Sequence, residues 1–356
     1  MPAPIATPWL SAQTDQDPRS ATGKTLRWGI VATGSIAGLM ARDLSLLADA
    51  ELYAVSSRQQ SKADAFAAEY GAARTYVDDG GVPGYQRLLA DDQVDVVYVA
   101  TPHAQHHEVV LAALNAGKHV LCEKAFTVNA REAAELIDTA RSRNLFLMEA
   151  MWSRFLPSMQ RAFEIAASGE LGEIHWVTAD LGFPAPYSPG SRLWAPRDGG
   201  GALLDITVYP LLWALGTLGF PQTVSATGFV TDDGVDSQNA LTLGYHHAAQ
   251  VQLTSSLLSH GPRTATVAGS KGFLQSVGSI NNPRELVITK DRNDPRTEKF
   301  DVVGKGYTYE LREATRCIQQ GLTESPVMPL EDSLNTMRLF DGVRAQLGVS
   351  YPNDRH

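Results

Sequence analysis

The first half of the chain alternates short, nearly continuous apolar runs with segments of helical periodicity. Apolar runs occupy residues 26–32, 51–56, 94–100 and 119–123, and stretches such as 130–143 carry apolar residues at helical spacing. A strand that is apolar on both faces must be covered on both faces, which is typical of a parallel sheet with helices on each side. We therefore predict an α/β, doubly wound domain over residues 25–149.

The pattern changes after about residue 151. Residues 174–181, 223–230, 240–245, 250–258 and 264–268 are predicted strands, several with apolar and polar residues in alternation. Helices are predicted at 155–168, from about 203, and at 333–347. We predict an α+β domain over residues 150–356, with a large, mainly antiparallel open sheet covered by helices on one face. Its other face would be free for another subunit, so we expect a homo-oligomer, dimer or tetramer.

Charge and cysteine content restrict the partners. The chain has 356 residues, 30 Lys+Arg and 39 Asp+Glu, and a net charge of −9, which disfavours nucleic acid. Two cysteines, Cys122 and Cys317, form neither a disulfide framework nor a zinc motif. No apolar run approaches the roughly 18 residues of a membrane span. With no evident signal peptide, we expect a cytoplasmic protein with small-molecule partners, and residues 1–24 as a flexible arm.

The turn after the first strand is a candidate dinucleotide-binding turn. Residues 32–37 align with the G-x-G-x-x-G fingerprint but keep only its middle glycine, Gly34. Ser35 is the predicted N-cap of the following helix. We expect the pyrophosphate to lie against Thr33, Gly34, Ser35 and Ile36.

The end of the second strand indicates which dinucleotide is bound. An NAD site carries an acidic residue there for the ribose hydroxyls, whereas this chain has Ser57 and Arg58, with Lys62 one turn into the next helix. A guanidinium and a hydroxyl suit a 2′-phosphate. The sequence therefore predicts NADP(H) as cofactor.

Several separate motifs support a family resemblance. They are R-W-G-I at 27–30, T-P-H at 101–103, A-G-K-H-V-L-C-E-K at 116–124, M-E-A-M-W-S-R-F-L-P at 148–157 and G-G-G-A-L-L-D-I-T-V-Y-P at 199–210. In this order the sequence resembles the glucose–fructose oxidoreductase / inositol dehydrogenase / MocA (Gfo/Idh/MocA) oxidoreductases from about residue 26 to 347. It is most similar to their dihydrodiol dehydrogenase and NADP-dependent D-xylose dehydrogenase branch.

The resemblance implies a Rossmann domain and a set of site residues. Lys124 and Tyr209 would be the catalytic acid–base pair, with Asp205 four residues before Tyr209 on the same helical face. A free phenol has a pKa of about 10, which a nearby ammonium lowers towards working pH. The remaining cofactor contacts are expected from Thr101, Pro102, His103, His106, Glu123 and Lys124.

Three positions depart from the family pattern. Ala32 and Thr207 replace glycines, and Ala125 replaces the proline that follows the Glu-Lys pair. Because a non-proline cis bond costs roughly 2.5–4 kcal/mol, we expect a trans or looser loop after Lys124.

Aromatic and arginine side chains flank the catalytic motifs. Trp152, Arg154, Arg192 and Trp194, with Asp205 and Tyr209, are predicted to bind substrate. The sequence predicts hydride transfer to or from a sugar, such as D-xylose or D-glucose, or a vicinal cyclic diol. Alternatives are a ketosugar or anhydrosugar reductase using the same residues, a catalytically silent NADP-binding regulator, or a scaffold that uses the free sheet face. His103, His106 and His107 lack carboxylate or cysteine partners at ligand spacing, so no metal site is predicted.

Overall fold

The computed structural model describes residues 17–246, 248–291 and 294–355, and the chain divides into two compact units. The first unit comprises residues 17–152 and 303–334, and the second comprises residues 153–302 and 335–355. Residues 1–16 of the predicted arm lie outside the described residues. Of the remainder, the Pro18 carbonyl accepts from Arg312 Nε at 2.9 Å, and the Thr22 amide donates to Asp49 at 2.7 Å.

The first unit is built on a six-stranded parallel sheet in the order β3-β2-β1-β4-β5-β6. Its strands are β1 (Leu26–Val31), β2 (Ala50–Ser57), β3 (Arg74–Val77), β4 (Val96–Val99), β5 (His119–Glu123) and β6 (Leu147–Ala150). Its helices are α1 (Ser35–Leu44), α2 (Gln60–Tyr70), α3 (Gly84–Leu89), α4 (His103–Asn115), α5 (Ala130–Arg143) and α9 (Thr308–Gln319). The strand order reverses between β1 and β4, and the predicted doubly wound fold is confirmed.

Burial explains why this sheet forms. All four residues of β4 and all four of β6 are buried, as a strand covered by helices on both faces requires. Gly117, with φ +76°, follows the C-cap residue Ala116 of α4, a position where glycine in the left-handed region commonly ends a helix. All strands being parallel, the carboxyl ends of β1, β2, β4 and β5 meet at one edge, where open α/β sheets bind ligands.

The second unit is built on an eight-stranded sheet in the order β14-β13-β12-β11-β7-β10-β9-β8. Its strands are β7 (Ile174–Gly182), β8 (Thr223–Val230), β9 (Asp236–Gly244), β10 (Gln250–Ser256), β11 (Ala265–Gly269), β12 (Gly272–Ser279), β13 (Asn282–Lys290) and β14 (Arg296–Lys299). Its helices are α6 (Pro157–Ala167), α7 (Ala202–Asp205) and α8 (Val208–Leu218), while α10 (Leu330–Leu347) runs from the first unit into the second. Only β7 and β10 pair in parallel, so the mainly antiparallel sheet is confirmed.

The two faces of this sheet differ in composition. Strand β10 alternates exposed Gln250, Gln252 and Thr254 with buried Val251 and Leu253. Helix α8 packs on the apolar face, and its residues 208–215 are buried. No single helix among the described residues is long and apolar enough to span a membrane. The segments 196–205 and 208–218 meet that length and hydropathy only when counted together, and they are bent by 47°.

Several elements were not predicted from the sequence. They are β3, β12, β13, β14 and α9. In addition, residues 303–334 group with the first unit, whereas the sequence prediction placed everything from residue 150 in the second domain.

Candidate active site

The turn after β1 leads directly into α1. Gly34 is the N-cap, so the prediction of Ser35 in that role is wrong by one residue: Ser35 is already the first helical residue. The cap has no side-chain hydrogen bond, and the first turn contains no acidic residue. A side chain built on Gly34 would point into open space. The helix therefore presents its amide donors and positive dipole end to an anion.

Ala32 gives this turn its direction. It has φ +85°, in the left-handed region that glycine favours, and its amide donates to the Ser56 carbonyl at 3.1 Å. The position where the fingerprint has a glycine thus keeps the glycine conformation with an alanine.

The end of β2 lies beside that turn. The Ser57 and Thr33 hydroxyls are 3.4 Å apart, and Arg58 and Lys62 are exposed. No residue from Val55 to Gln60 is acidic. Two hydroxyls and two cations therefore lie on the segment from the end of β2 to the start of α2 and on the neighbouring turn, the part of this fold that binds the ribose 2′-substituent.

Helix α4 starts directly after β4, with Pro102 as its N-cap. Its first residue, His103, is buried, and His106 is completely buried. The Nε2 atom of His106 lies 2.9 Å from the Thr101 carbonyl oxygen, and Nδ1 lies 3.0 Å from that of Ala125. Burial lowers the pKa of His106, which favours its neutral form. His106 thus links the loops that follow β4 and β5.

The last residue of β5, Glu123, is buried, and the following residue, Lys124, is half-buried. The Tyr98 hydroxyl donates to Glu123 Oε1. Burial raises the pKa of Glu123 to about 7, opposed by the neighbouring Lys124 charge. Lys124 therefore follows a carboxyl group that titrates near neutral pH.

The loop after Lys124 corrects a sequence expectation. The Lys124–Ala125 peptide bond is cis, so the expectation of a trans or looser loop is wrong. Hydrogen bonds fix the residues that follow: the Ala125 carbonyl faces His106, and the Phe126 amide donates to Glu149 Oε1 at 3.0 Å. Glu149 lies within the motif at residues 148–157, which did not predict this contact.

A second buried carboxyl group, Glu310 of α9, was also missed. It is 0% exposed, and neither carboxylate oxygen has a hydrogen-bond partner among the described residues. Burial, then the charges of Glu123 and Asp43, hold its pKa well above the usual range. The sequence carried no signal for it, because α9 itself was not predicted.

Trp152 and Tyr307 form an aromatic pair in the first unit. Their ring centroids are 4.7 Å apart with an interplanar angle of 39°, and both residues are buried. Trp152, predicted to contact substrate, therefore packs on a residue that immediately precedes α9.

In the second unit, Asp205 and Tyr209 lie on opposite sides of a helix break. Helix α7 ends at Asp205 and α8 begins at Val208, so the expectation that both residues share one continuous helix face is wrong. Ile206, at φ −127°, leaves the helical path. Both site residues are buried.

Arg192 reaches Asp205 from the loop after β7. Its Nη1 atom lies 2.9 Å from Asp205 Oδ1, and the Arg192 side chain is 58% exposed. The structure thus brings together two predicted substrate residues, one buried acceptor and one exposed fork of donors.

The other predicted substrate residues are more deeply placed. Trp194 is buried; its Nε1 donates to the Pro186 carbonyl at 3.0 Å, and its ring contacts Tyr187 edge-on. Arg154 is buried, and its carbonyl accepts from Gln160 Nε2 at 2.6 Å. Trp194 therefore anchors the loop that carries Arg192.

The predicted site residues are divided between the units. The cofactor residues and Lys124 belong to the first unit, whereas Asp205 and Tyr209 belong to the second, so the Lys124–Tyr209 pair stays a prediction. The described residues contain no group of three or more His, Cys, Asp or Glu side chains arranged to hold a metal.

The first unit fits a nicotinamide dinucleotide. The uncapped α1 N-terminus and the open space at Gly34 suit a pyrophosphate. The Thr101 hydroxyl, after β4, is buried with no hydrogen-bond partner among the described residues, as expected of a group that awaits a ligand.

Comparison with protein families agrees with this geometry. Residues 26–151 match the oxidoreductase family with an NAD-binding Rossmann fold, and residues 159–275 match the GFO/IDH/MocA C-terminal domain. The chain belongs to the GFO/IDH/MocA oxidoreductase family. The resemblance drawn from the motifs is thereby confirmed, and the first unit is the nicotinamide-dinucleotide-binding part of an oxidoreductase.

Full-length relatives share both domains of this family. Trans-1,2-dihydrobenzene-1,2-diol dehydrogenase of Mus musculus is 36% identical over 93% of this chain and 99% of its own, and that of Homo sapiens is 35% identical with the same coverage. KijD10, a 3-ketoreductase from Actinomadura kijaniata solved with NADP and TDP-benzene, has a TM-score of 0.79 at 28% identity, covering 92% of this chain and 99% of its own. The aldose-aldose oxidoreductase from Caulobacter crescentus shares the fold, with a TM-score of 0.81 at 22% identity, covering 91% and 97%.

Proposed function

We propose that this GFO/IDH/MocA oxidoreductase is an NADP(H)-dependent dehydrogenase or reductase. It transfers a hydride between the nicotinamide and the carbinol carbon of a vicinal cyclic diol or of a sugar such as D-xylose or D-glucose. The observation that carries the proposal is the Arg192–Asp205 ion pair, four residues before the buried Tyr209 in the chain. A buried carboxylate and a guanidinium fork suit substrate hydroxyl groups, and a tyrosine can act as the proton acceptor. The dihydrodiol dehydrogenase relatives support the substrate class.

The acid–base step is assigned to Tyr209 and Lys124. In the oxidative direction Tyr209, as phenolate, accepts the proton of the substrate hydroxyl while the carbinol carbon loses its hydride and becomes a carbonyl. The Lys124 ammonium stabilises the phenolate, and Asp205 accepts a hydrogen bond from a neighbouring hydroxyl. The bound nicotinamide supplies the hydride acceptor, or the donor in reverse.

The cofactor preference is assigned to Thr33, Ser57 and Arg58, with Lys62. Guanidinium binds phosphate with two parallel hydrogen bonds. The end of β2 lacks the carboxylate that would bind the unmodified ribose hydroxyls of NAD. The relative KijD10 was solved with NADP, which supports the same preference here.

The acid–base role predicts that Tyr209→Phe lowers the turnover rate without lowering the affinity for NADPH. Removal of a general acid–base group lowers kcat about 10²–10⁴-fold. Turnover is measured by nicotinamide absorbance with D-xylose, D-glucose and a trans-dihydrodiol, and NADPH affinity by fluorescence titration. Tyr245→Phe is the matched control, because its hydroxyl donates to the Gly219 carbonyl at 3.0 Å. Near-normal turnover in Tyr209→Phe refutes the assignment.

The cofactor proposal predicts that Arg58→Ala weakens the binding of NADPH but not that of NADH. Loss of a charge-assisted contact to phosphate should raise the Kd for NADPH about tenfold or more and leave that for NADH unchanged. Arg42→Ala is the control, since Arg42 is exposed on α1 and pairs with Glu69 at 2.7 Å. Equal affinity of the parent protein for both cofactors, unchanged by Arg58→Ala, contradicts the proposal.

The reductive direction is the second candidate. Similarity to the 3-ketoreductase KijD10 over 92% of the chain favours a ketosugar or anhydrosugar substrate on the same residues. Aldoses, diols and ketosugars assayed in both directions separate the candidates. Tight NADPH binding with no turnover on any of them would favour a silent regulator.

The open face of the eight-stranded sheet is the proposed oligomer interface. It exposes Trp176 and Phe229 among threonine and glutamine side chains, a mixture that suits a second copy of the chain. Sedimentation of the full chain gives the stoichiometry, and a monomer at all concentrations refutes this interface.

A further inference from the structure

The elbow between α7 and α8 sets how Asp205 and Tyr209 face the substrate. The helical segments 196–205 and 208–218 are bent by 47° relative to each other, with Ile206 and Thr207 between them. Because Asp205 and Tyr209 lie on opposite sides of this bend, any rotation at the elbow changes their separation. Contacts that hold the angle of the elbow therefore also hold the distance between Asp205 and Tyr209.

Thr207 is completely buried at this bend, where the family pattern has a glycine. Its Oγ1 donates to the Ala202 carbonyl at 3.1 Å, and Asn239 Nδ2 donates to Thr207 Oγ1 at 3.0 Å. A buried hydroxyl is costly unless it is hydrogen-bonded, and here it is satisfied both as donor and as acceptor. The hydroxyl thus links the elbow to the start of α7 and to β9.

Asn239 extends the network through Asp236 to a second residue at the N-terminal end of α7. Its Nδ2 also donates to Asp236 Oδ2 at 2.9 Å, and the same oxygen accepts the Leu203 amide at 2.9 Å. The N-cap of α7 is Gly201, which has no side chain to cap the helix, so Asp236 serves instead. A Cβ on Gly201 would lie 2.3 Å from Asp236 Oδ1, so the carboxylate approaches closely only because that residue is glycine.

We propose that Thr207 and Asn239, anchored by Asp236, are positioning residues that hold Asp205 and Tyr209 in their reactive arrangement. The inference rests on the proposed role of Tyr209. Thr207 and Asp236 are 0% exposed, and Asn239 is 3% exposed. Their hydrogen bonds run to one another and to the backbone of α7, so their effect on the site is transmitted through the elbow. An apolar side chain would fill this space without directional bonds, whereas the network defines the angle of the bend.

The test compares two substitutions at Thr207. Thr207→Val keeps the shape but removes the hydroxyl, and we expect kcat to fall about tenfold, the effect of one lost buried hydrogen bond on the barrier. KM should change less, and the Kd for NADPH should not change. Thr207→Ser restores the hydroxyl and should retain at least half of the parent kcat. Parent-like kcat in Thr207→Val, or an equal loss in Thr207→Ser, overturns the proposal.

Asn239→Ala provides an independent measurement, which also serves if Thr207→Val does not fold. Because the two side chains act as one unit, the double variant Thr207→Val/Asn239→Ala should have the kcat of Asn239→Ala alone. Additive losses, or parent-like kcat in Asn239→Ala, contradict the network. If Tyr209→Phe is inactive while these variants are normal, only this inference fails. A fully active Tyr209→Phe removes the proposed function itself.

Discussion

Ala32 has a backbone conformation that its side chain disfavours. Its φ of +85° lies in the region where a Cβ atom crowds the adjacent carbonyl oxygen. The conformation is nevertheless required, because it turns the chain from β1 into the N-terminus of α1 and keeps the amide on Ser56. The turn is therefore dictated by the sheet and the helix rather than by the alanine.

The left-handed conformation of Ala32 predicts that Ala32→Gly stabilises the protein. Relief of the left-handed strain exceeds the extra entropy of an unfolded glycine, for a net gain of about 1 kcal/mol in the free energy of unfolding. Urea unfolding measures the difference. Ala37→Gly, inside α1, is the control and should lower stability. A loss in Ala32→Gly comparable to that in Ala37→Gly would contradict the prediction.

Sequence motifs identified the residues that end strands or start helices, because strand ends and turns have local signatures. Lys124 follows β5, and Tyr209 is the second residue of α8. Asp236 and Asn239 gave no signal, since they contact the elbow across more than thirty residues, from Leu203 to Asp236. Glu310 was hidden for another reason: a fully buried carboxylic acid is indistinguishable in sequence from an exposed one.

At the scale of elements, two helices are capped by aspartates from elsewhere in the chain. Asp236 caps α7, and Asp43 of α1 caps α9, accepting the amides of Tyr307 at 2.9 Å and Thr308 at 3.2 Å. Asp43 is buried, and it also accepts the Lys305 amide at 3.0 Å. Since the amides at a helix N-terminus have no intrahelical partner, each carboxylate locks a helix onto a distant element.

We expect Asp43→Ala to cost about 3 kcal/mol, because several buried amide donors lose a charged acceptor at once. Chemical unfolding followed by circular dichroism reports the change. Asp64→Ala is the matched control: Asp64 is exposed on α2 and bonds only Gln60 Nε2 among the described contacts, at 2.7 Å. Similar losses in both variants would show that Asp43 does not act as a cap.

Three of the elements missed from the sequence, β3, β14 and α9, lack a clear apolar pattern. β3 and β14 are short edge strands with polar residues, so neither has an apolar run. α9 buries Glu310, Arg312 and Glu313, and these charged residues interrupt the apolar periodicity that marks a helix. The fully covered strands of the parallel sheet were predictable because a strand buried on both faces consists of consecutive apolar residues.

For the whole molecule, buried carboxyl groups set the response to pH. Burial raises the pKa of Asp236 from 3.8 to about 7 and that of Glu123 from 4.5 to about 7. Between the unfolded and folded pKa values the folded protein holds protons that the unfolded chain has released. Each group therefore lowers the free energy of unfolding as pH rises from about 4 to 7. Asp49, whose pKa Arg312 and Gln319 lower against burial, acts in the opposite direction, and its contribution is lost as pH falls below about 4.

Asp236→Asn isolates one of these contributions. An amide cannot ionise, so the stability of the variant relative to the parent should rise between pH 4 and 7, by about 1.4 kcal/mol per pH unit at most. Urea unfolding across this range gives the difference curve. Asp232→Asn, at an exposed position, should give a flat curve. A flat curve for Asp236→Asn would show that its carboxyl is already ionised throughout.

The return of residues 303–334 to the first unit has a consequence for evolution and engineering. A fragment that stopped at Trp152 would lose Arg312, the partner of Asp49 at 2.5 Å, and Tyr307, the partner of Trp152. Exchange of nucleotide-binding modules between relatives by a single crossover would leave both halves with foreign partners. Exchange of the whole first unit between relatives therefore requires three coordinated breakpoints, near residues 152, 302 and 334, and a chain divided in this way is most easily inherited whole.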